Sequence, residues 1–263
     1  MGWLKEIAIH FAFMCYNLVA HRLPAHVRLS KDPFRAIGEY FDAVWVLTIQ
    51  RNVERQDVFR QRFQGMRFEF IAGVDGKSLS ENDPRLDLQE AQRTNRRPVR
   101  INELACTLSH LVMFKAIVDR GLERVLIFED DAAFLKRNAR WVPYCLERLP
   151  SDWELFYFGY REGELRGFQR ELQECLGRHR DRAEVVSRSV GRGFRTAAMH
   201  DFTHAYAVTN AGARKLLQGA YPVSYTADGW LEHVIAKGII RAYVSVPKLF
   251  TQDAVTGSTI HSG

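Results

Sequence analysis

The stretch Glu103–Phe134, ELACTLSHLVMFKAIVDRGLERVLIFEDDAAF, decides the fold. Its first part predicts a helix capped by Asn102 and running to about Arg120, with Gly121 as the C-terminal stop. Val125–Phe128 (VLIF) then reads as a short buried strand, and Glu129, Asp130 and Asp131 follow it directly. Working outward, Ala43–Ile49 (AVWVLTI) predicts a buried strand and Arg51–Phe63 a polar helix. Arg67–Ala72 (RFEFIA) alternates like a second strand and ends in the turn Gly73-Val74-Asp75-Gly76. Residues 77–100 are polar and loop-like, with Arg93, Arg96, Arg97 and Arg100 clustered. Downstream, Leu155–Phe158 is another apolar run, Phe202–Thr209 reads as a strand, and Ala211–Leu217 and Trp230–Lys237 read as helices. Residues 161–195 are rich in Arg and Gly and show no period. Strand and helix alternate, which predicts an α/β fold with a mainly parallel central sheet.

The 263 residues hold 37 Lys and Arg against 31 Asp and Glu, a net charge of +6 that favours anionic partners. With 12% aromatic residues, disorder as the dominant state is excluded. Cys15, Cys106, Cys145 and Cys175 make no C-x-x-C pair, which argues against a zinc site built on cysteines and points to a reducing, cytoplasmic setting. Ile7–Ala20 (IAIHFAFMCYNLVA) is too short to span a bilayer. Leu4, Ile7, Phe11, Met14 and Leu18 form one helical stripe, which suits either packing on protein or peripheral membrane contact through residues 3–20 beside Arg22 and Arg28. The chain therefore divides into an N-terminal apolar helix with its linker, 1–40, and a domain over 41–263.

Ligands of open α/β sheets bind outside the carboxyl ends of the strands. Glu129, Asp130 and Asp131 stand at such an end. Three adjacent carboxylates repel one another, and hard oxygen ligands suit Mn²⁺ or Mg²⁺. The alternative is a solvated turn or an acidic helix start. A phosphate-loop reading of Gly76-Lys77-Ser78 fails, because Ile71 stands where the first glycine is required and Asn82-Asp83-Pro84 follows where a helix must start. No nucleic-acid reading motif accompanies the arginines, so nucleic acid is not an expected partner.

Several segments together resemble glycosyltransferase family 25. They are VWVLTIQRNVERQ from Val44, FIAGVDGKSL from Phe70, the long stretch with Cys106, Ser109, His110 and the E-D-D run, and THAYAVTNAGARKLL from Thr203. Asp228-Gly229-Trp230-Leu231 and the closing PKLFTQ also fit. Two departures are Thr48, where the family usually has Asn, and Gln50, where it often has Asp. The resemblance implies a GT-A-like nucleotide-sugar-binding domain. It also implies metal-dependent, inverting transfer of a sugar, galactose foremost, from a UDP-sugar to a hydroxyl of a glycan, lipopolysaccharide or similar acceptor. On that reading Glu129 and Asp131 hold Mn²⁺ or Mg²⁺. Thr48, Arg51, Arg55, Asp75, Gly76, Ser109, His110 and Asp130 bind the donor, with His110 also read as a structural partner. Asp228 is the candidate general base and Glu232 the second choice, Asp228 being equally readable as a helix cap. Arg178, Arg180 and Arg182 are candidates for phosphates, and His261 for the metal. The rival within the family is a catalytically inactive member acting as a nucleotide-sugar-binding or assembly partner.

Overall fold

The computed structural model describes residues 32–95, 97–161, 187–198 and 201–253. The helix expected at residues 3–20, together with Arg178, Arg180, Arg182 and His261, lies outside them.

One sheet organises the described residues. Its strands are β1 (Ala43–Thr48), β2 (Glu69–Ala72), β3 (Arg124–Glu129), β4 (Ala132–Phe134), β5 (Leu155–Arg161), β6 (Ser189–Gly191), β7 (Phe194–Thr196), β8 (Asp201–Thr209), β9 (Ala242–Ser245) and β10 (Phe250–Gln252). The order is β2-β1-β3-β8-β5-β9-β7-β6, with β10 pairing both β4 and β5. β2, β1 and β3 are parallel, as are β5 with β9 and β10. β8 runs antiparallel to both β3 and β5, so the sheet is mixed in direction around a parallel end. An apolar run reports burial and not direction, and β8 reads the same either way. The α/β architecture is compatible with a GT-A-like fold.

Both faces of the sheet are covered, which is why β1 reads as continuous apolar sequence. Trp45 and Leu47 point to one face, Val44 and Val46 to the other, the period-two alternation of a strand. The first face packs against α3 (Leu88–Asn95), α4 (Ile101–Arg120), α6 (Asn210–Leu217) and α7 (Ala227–Ala236). The second packs against α1 (Pro33–Tyr40), α2 (Val53–Arg62) and α5 (Trp141–Arg148).

Helix α1 corrects the expected linker. The Asp32 carboxylate caps it by accepting from the N–H groups of Phe34 and Arg35 at 2.9 and 3.0 Å, and Pro33 suits the first position. Ala36 and Ile37 are buried in the second core, so the packed domain includes residues 33–40. Helix α3 corrects the expected loop at 77–100. Asp87 accepts from Glu90 N–H at 2.8 Å to start it, but only Ala91 is fully buried, too little to show a period. Helix α5 carries Pro143 in its first turn, where a missing N–H costs nothing.

Helix α4 is the central element. Its N-cap is Arg100 and not Asn102: the Glu103 carboxylate reaches back to accept Arg100 N–H at 2.9 Å. Gly121 ends it in the left-handed conformation, φ 66°. By length and composition α4 could cross a membrane, but 56% of its apolar window is buried within the domain. Leu104, Leu108, Leu111 and Ile117 place it in the first core.

Candidate functional site

The parallel register brings three strand ends to one edge. Leu47 pairs with Glu129 and Thr48 with Ala72. Beyond the strands, Asp130 N–H donates to Leu47 C=O at 3.1 Å and Gly73 N–H to Thr48 C=O at 2.8 Å. The chain after β1, β2 and β3 therefore opens around one cleft. Helix α4 closes its side with Asn102, Cys106 and Ser109, which recur at three- and four-residue steps.

Nine of the expected residues line this cleft: Thr48, Arg51, Arg55, Asp75, Gly76, Ser109, Glu129, Asp130 and Asp131. The three acids do not converge on one point, because adjacent residues face different neighbours. Glu129 accepts from Thr203 Oγ1 and lies 3.5 Å from His110 Nε2, both contacts falling on Oε1. Asp130 accepts from Thr48 Oγ1 at 2.6 Å and pairs with Arg55 at 2.5 Å. Asp131 Oδ2 meets the same guanidinium at 2.9 Å and Gln252 Nε2 at 2.8 Å. Asp131 Oδ1 is buried and has no hydrogen-bond partner among the described residues.

The electrostatics follow from this geometry. Burial raises the Asp130 carboxyl, and Arg55 and Thr48 oppose the rise without cancelling it. Burial, then the Glu129 charge, pushes Asp131 up to about 6. For Glu129, burial pulls upward, but His110 and Thr203 hold the carboxyl below its ordinary value. An acid with an orphaned buried oxygen and a raised pKa, beside two other carboxylates, is poised for a cation. The donors are oxygens, so the residues fit a hard dication. Asp131 would be the ligand best placed for one, with Glu129 beside it.

Three of these lining residues also hold the cleft in shape. Ser109 Oγ accepts from Val74 N–H at 2.8 Å and donates to Ala105 C=O at 2.7 Å, tying the loop after β2 to α4. Asp75 pairs with Arg51 and accepts from Lys77 N–H at 3.0 Å, which caps the short turn Gly76–Ser78. Gly76 must be glycine there, since a Cβ would run into the Asn102 side chain. His110 stands behind Glu129, buried, with Nδ1 2.7 Å from Tyr206 Oη, and is not among the lining residues, which suits its reading as a structural partner.

Asp228 and Glu232 also lie off the lining. Thr226 caps α7, its Oγ1 accepting from Gly229 N–H at 3.4 Å, so Asp228 is not the cap. Asp228 sits in the first turn, half-buried, and its charge adds to burial and Glu129 in raising the Cys106 thiol. Burial, then the charges of Glu232 and Asp228, raise the buried Tyr157 hydroxyl.

Sequence reasoning missed Asn52, Asn102 and Gln252. Asn52 lines the cleft with Nδ2 buried and unpartnered among the described residues. Gln252 arrives through the antiparallel pairing of β10 with β4, which sets it opposite Ala132 next to the acids. The PKLFTQ segment was the only signal for it.

Residues 41–231 match glycosyltransferase family 25 (LPS biosynthesis protein), and the chain belongs to that family. Procollagen galactosyltransferase 2 of Mus musculus is 28% identical over 192 residues, covering 69% of this chain and 28% of the mouse protein. Procollagen galactosyltransferase 1 of Danio rerio is 28% identical over 233 residues, covering 83% of this chain and 35% of its own length. The inactive glycosyltransferase 25 family member 3 of Homo sapiens is 33% identical over 209 residues, covering 73% of this chain and 31% of its own. The chain spans about a third of the length of these relatives.

Proposed function

We propose that this domain moves a sugar, galactose foremost, from a UDP-sugar to a hydroxyl of a glycan or lipid-linked glycan, with inversion and with Mn²⁺ or Mg²⁺ in the site. The observation that carries the reading is Asp131 Oδ1, buried and unpartnered at the joint end of β1, β2 and β3. Asp131 and Glu129 would hold the cation, which when bound neutralises charge on the departing diphosphate. The chain's own residues do the rest. Arg55 keeps Asp130 and Asp131 in place, and the Asn52 amide offers a donor to the nucleotide. Asp228, in the first turn of α7, takes the acceptor's hydroxyl proton as the new C–O bond forms and the sugar–phosphate bond breaks. Residues 3–20 would supply peripheral contact with the inner face of a membrane in a cytoplasmic setting.

The test is a panel of UDP-sugars with and without Mn²⁺, scored by UDP release with a glycan acceptor and by thermal shift. UDP with Mn²⁺ should stabilise the protein more than UDP alone, because diphosphate and carboxylates repel. Equal shifts with and without EDTA would remove the metal from the proposal. Metal-dependent UDP binding with no transfer to any acceptor would favour an inactive member, as the human relative is named.

A further inference from the structure

The cleft wall carries a second constellation, of different ligand chemistry. Cys106 and His110 stand four residues apart on one face of α4, and β3 delivers Glu129 beside them. The Cys106 sulfur, an imidazole nitrogen of His110 and a carboxylate oxygen of Glu129 all lie within 4.8 Å of one another. We infer that these three side chains form a binding site for a borderline-soft dication, Zn²⁺ foremost, apart from the hard-cation role of Asp131.

Three observations support it. The first is the donor set, since thiolate and imidazole select zinc over manganese or magnesium. The second is His110 Nε2, which is buried, has no hydrogen bond among the described residues, and lies 3.5 Å from Glu129 Oε1. The third is Tyr206, whose hydroxyl lies 2.7 Å from Nδ1. A ligating histidine is oriented by a partner on its other nitrogen, and Tyr206 occupies that place.

Tetrahedral zinc spaces nitrogen, sulfur and oxygen ligands about 3.3–3.6 Å apart. The three side chains therefore close by roughly 1 Å through small χ rotations, with no movement of α4 against β3. Binding converts the thiol to thiolate and releases its proton to solvent. Three protein ligands leave a fourth position. Cys106 and Glu129 both line the cleft, so that position opens on it and takes water or a phosphate oxygen. Zinc here shares Glu129 with the proposed donor site, but its binding does not depend on that site's activity.

The experiment is a Co²⁺ titration of the metal-free full chain, followed by absorption. One equivalent should give a thiolate-to-cobalt charge-transfer band with intense tetrahedral d–d bands, and Zn²⁺ should bleach both. Cys106→Ser should lose the charge-transfer band, and His110→Gln should lose the stoichiometric binding. Asp131→Asn should keep the full spectrum. A weak octahedral spectrum, or a charge-transfer band that survives Cys106→Ser, would overturn the assignment. UDP binding with Mn²⁺ is measured on separate cobalt-free portions of the same preparations. Its absence beside an intact cobalt spectrum defeats the donor reading alone, and the reverse result defeats the zinc site alone.

Discussion

Asp131 keeps its proton more tightly in the folded chain than in the unfolded one, because burial and Glu129 both oppose its charge. The folded value is about 6, against an ordinary value of 3.8. Between those values the native state binds more protons, so on this residue's account stability falls as pH rises from about 4 to about 6. Asp131→Asn removes that cost. The variant should be more stable than the parent at pH 7.5, by at most about 3 kcal/mol, and equal to it near pH 3.5. Urea denaturation at the two values checks this. The same variant should lose metal-dependent UDP affinity, since an amide is a poor ligand for a hard dication. Stability gained where function is lost marks a site under electrostatic strain. Asp228→Asn should behave differently: UDP affinity by calorimetry stays, and the transfer rate falls by roughly 10²–10⁴-fold. A variant that turns over at the parent rate would shift the base to Glu232.

At the scale of elements, two glycines on or beside α4 separate folding from site geometry. Gly121 takes φ 66° at the end of α4, and a Cβ there meets nothing within 4 Å. Gly121→Ala should cost about 1 kcal/mol of stability through backbone strain alone and leave nucleotide affinity intact. Gly76 has ordinary backbone angles, but a Cβ would strike Asn102. Gly76→Ala should push the Asp75 turn off α4, costing about 1–3 kcal/mol, and weaken nucleotide binding as well. Paired thermal denaturation and UDP calorimetry distinguish the two patterns.

For the whole molecule, the placement of α1 changes where the domain can be cut. Deleting residues 1–31 should leave a cooperatively folded protein that binds UDP, since the family match begins at residue 41 and α1 keeps its Asp32 cap. Deleting residues 1–40 should not. It strips Ile37 and Ala36 from the second core and removes Phe34 from its contacts with Phe63 and Phe134. Losing those apolar groups should cost about 3–5 kcal/mol. Calorimetric scans of the two truncations, compared with the full chain, test the boundary.

The sequence by itself determined the main elements, though not α1, α3 or α5, and the chemistry within reach of each. The apolar run of β1, the stop at Gly121 and the acids after Phe128 act over a few residues, through backbone propensity and burial period. They placed the cleft at the strand ends, and the resemblance to glycosyltransferase family 25 named nine of its lining residues. Tertiary structure decided what each polar group faces. Only the β1–β3 register sets Thr48 and Arg55 on Asp130, and only the β10–β4 pairing brings Gln252 to Asp131 from 121 residues away. The antiparallel course of β8, which carries Tyr206 to His110, is likewise invisible in its apolar run. Hydrophobic pattern encodes which side of an element is buried, a local property. Which carboxylate oxygen is paired and which has no partner among the described residues depends on contacts between residues far apart in the chain, and these exist only once the sheet has formed.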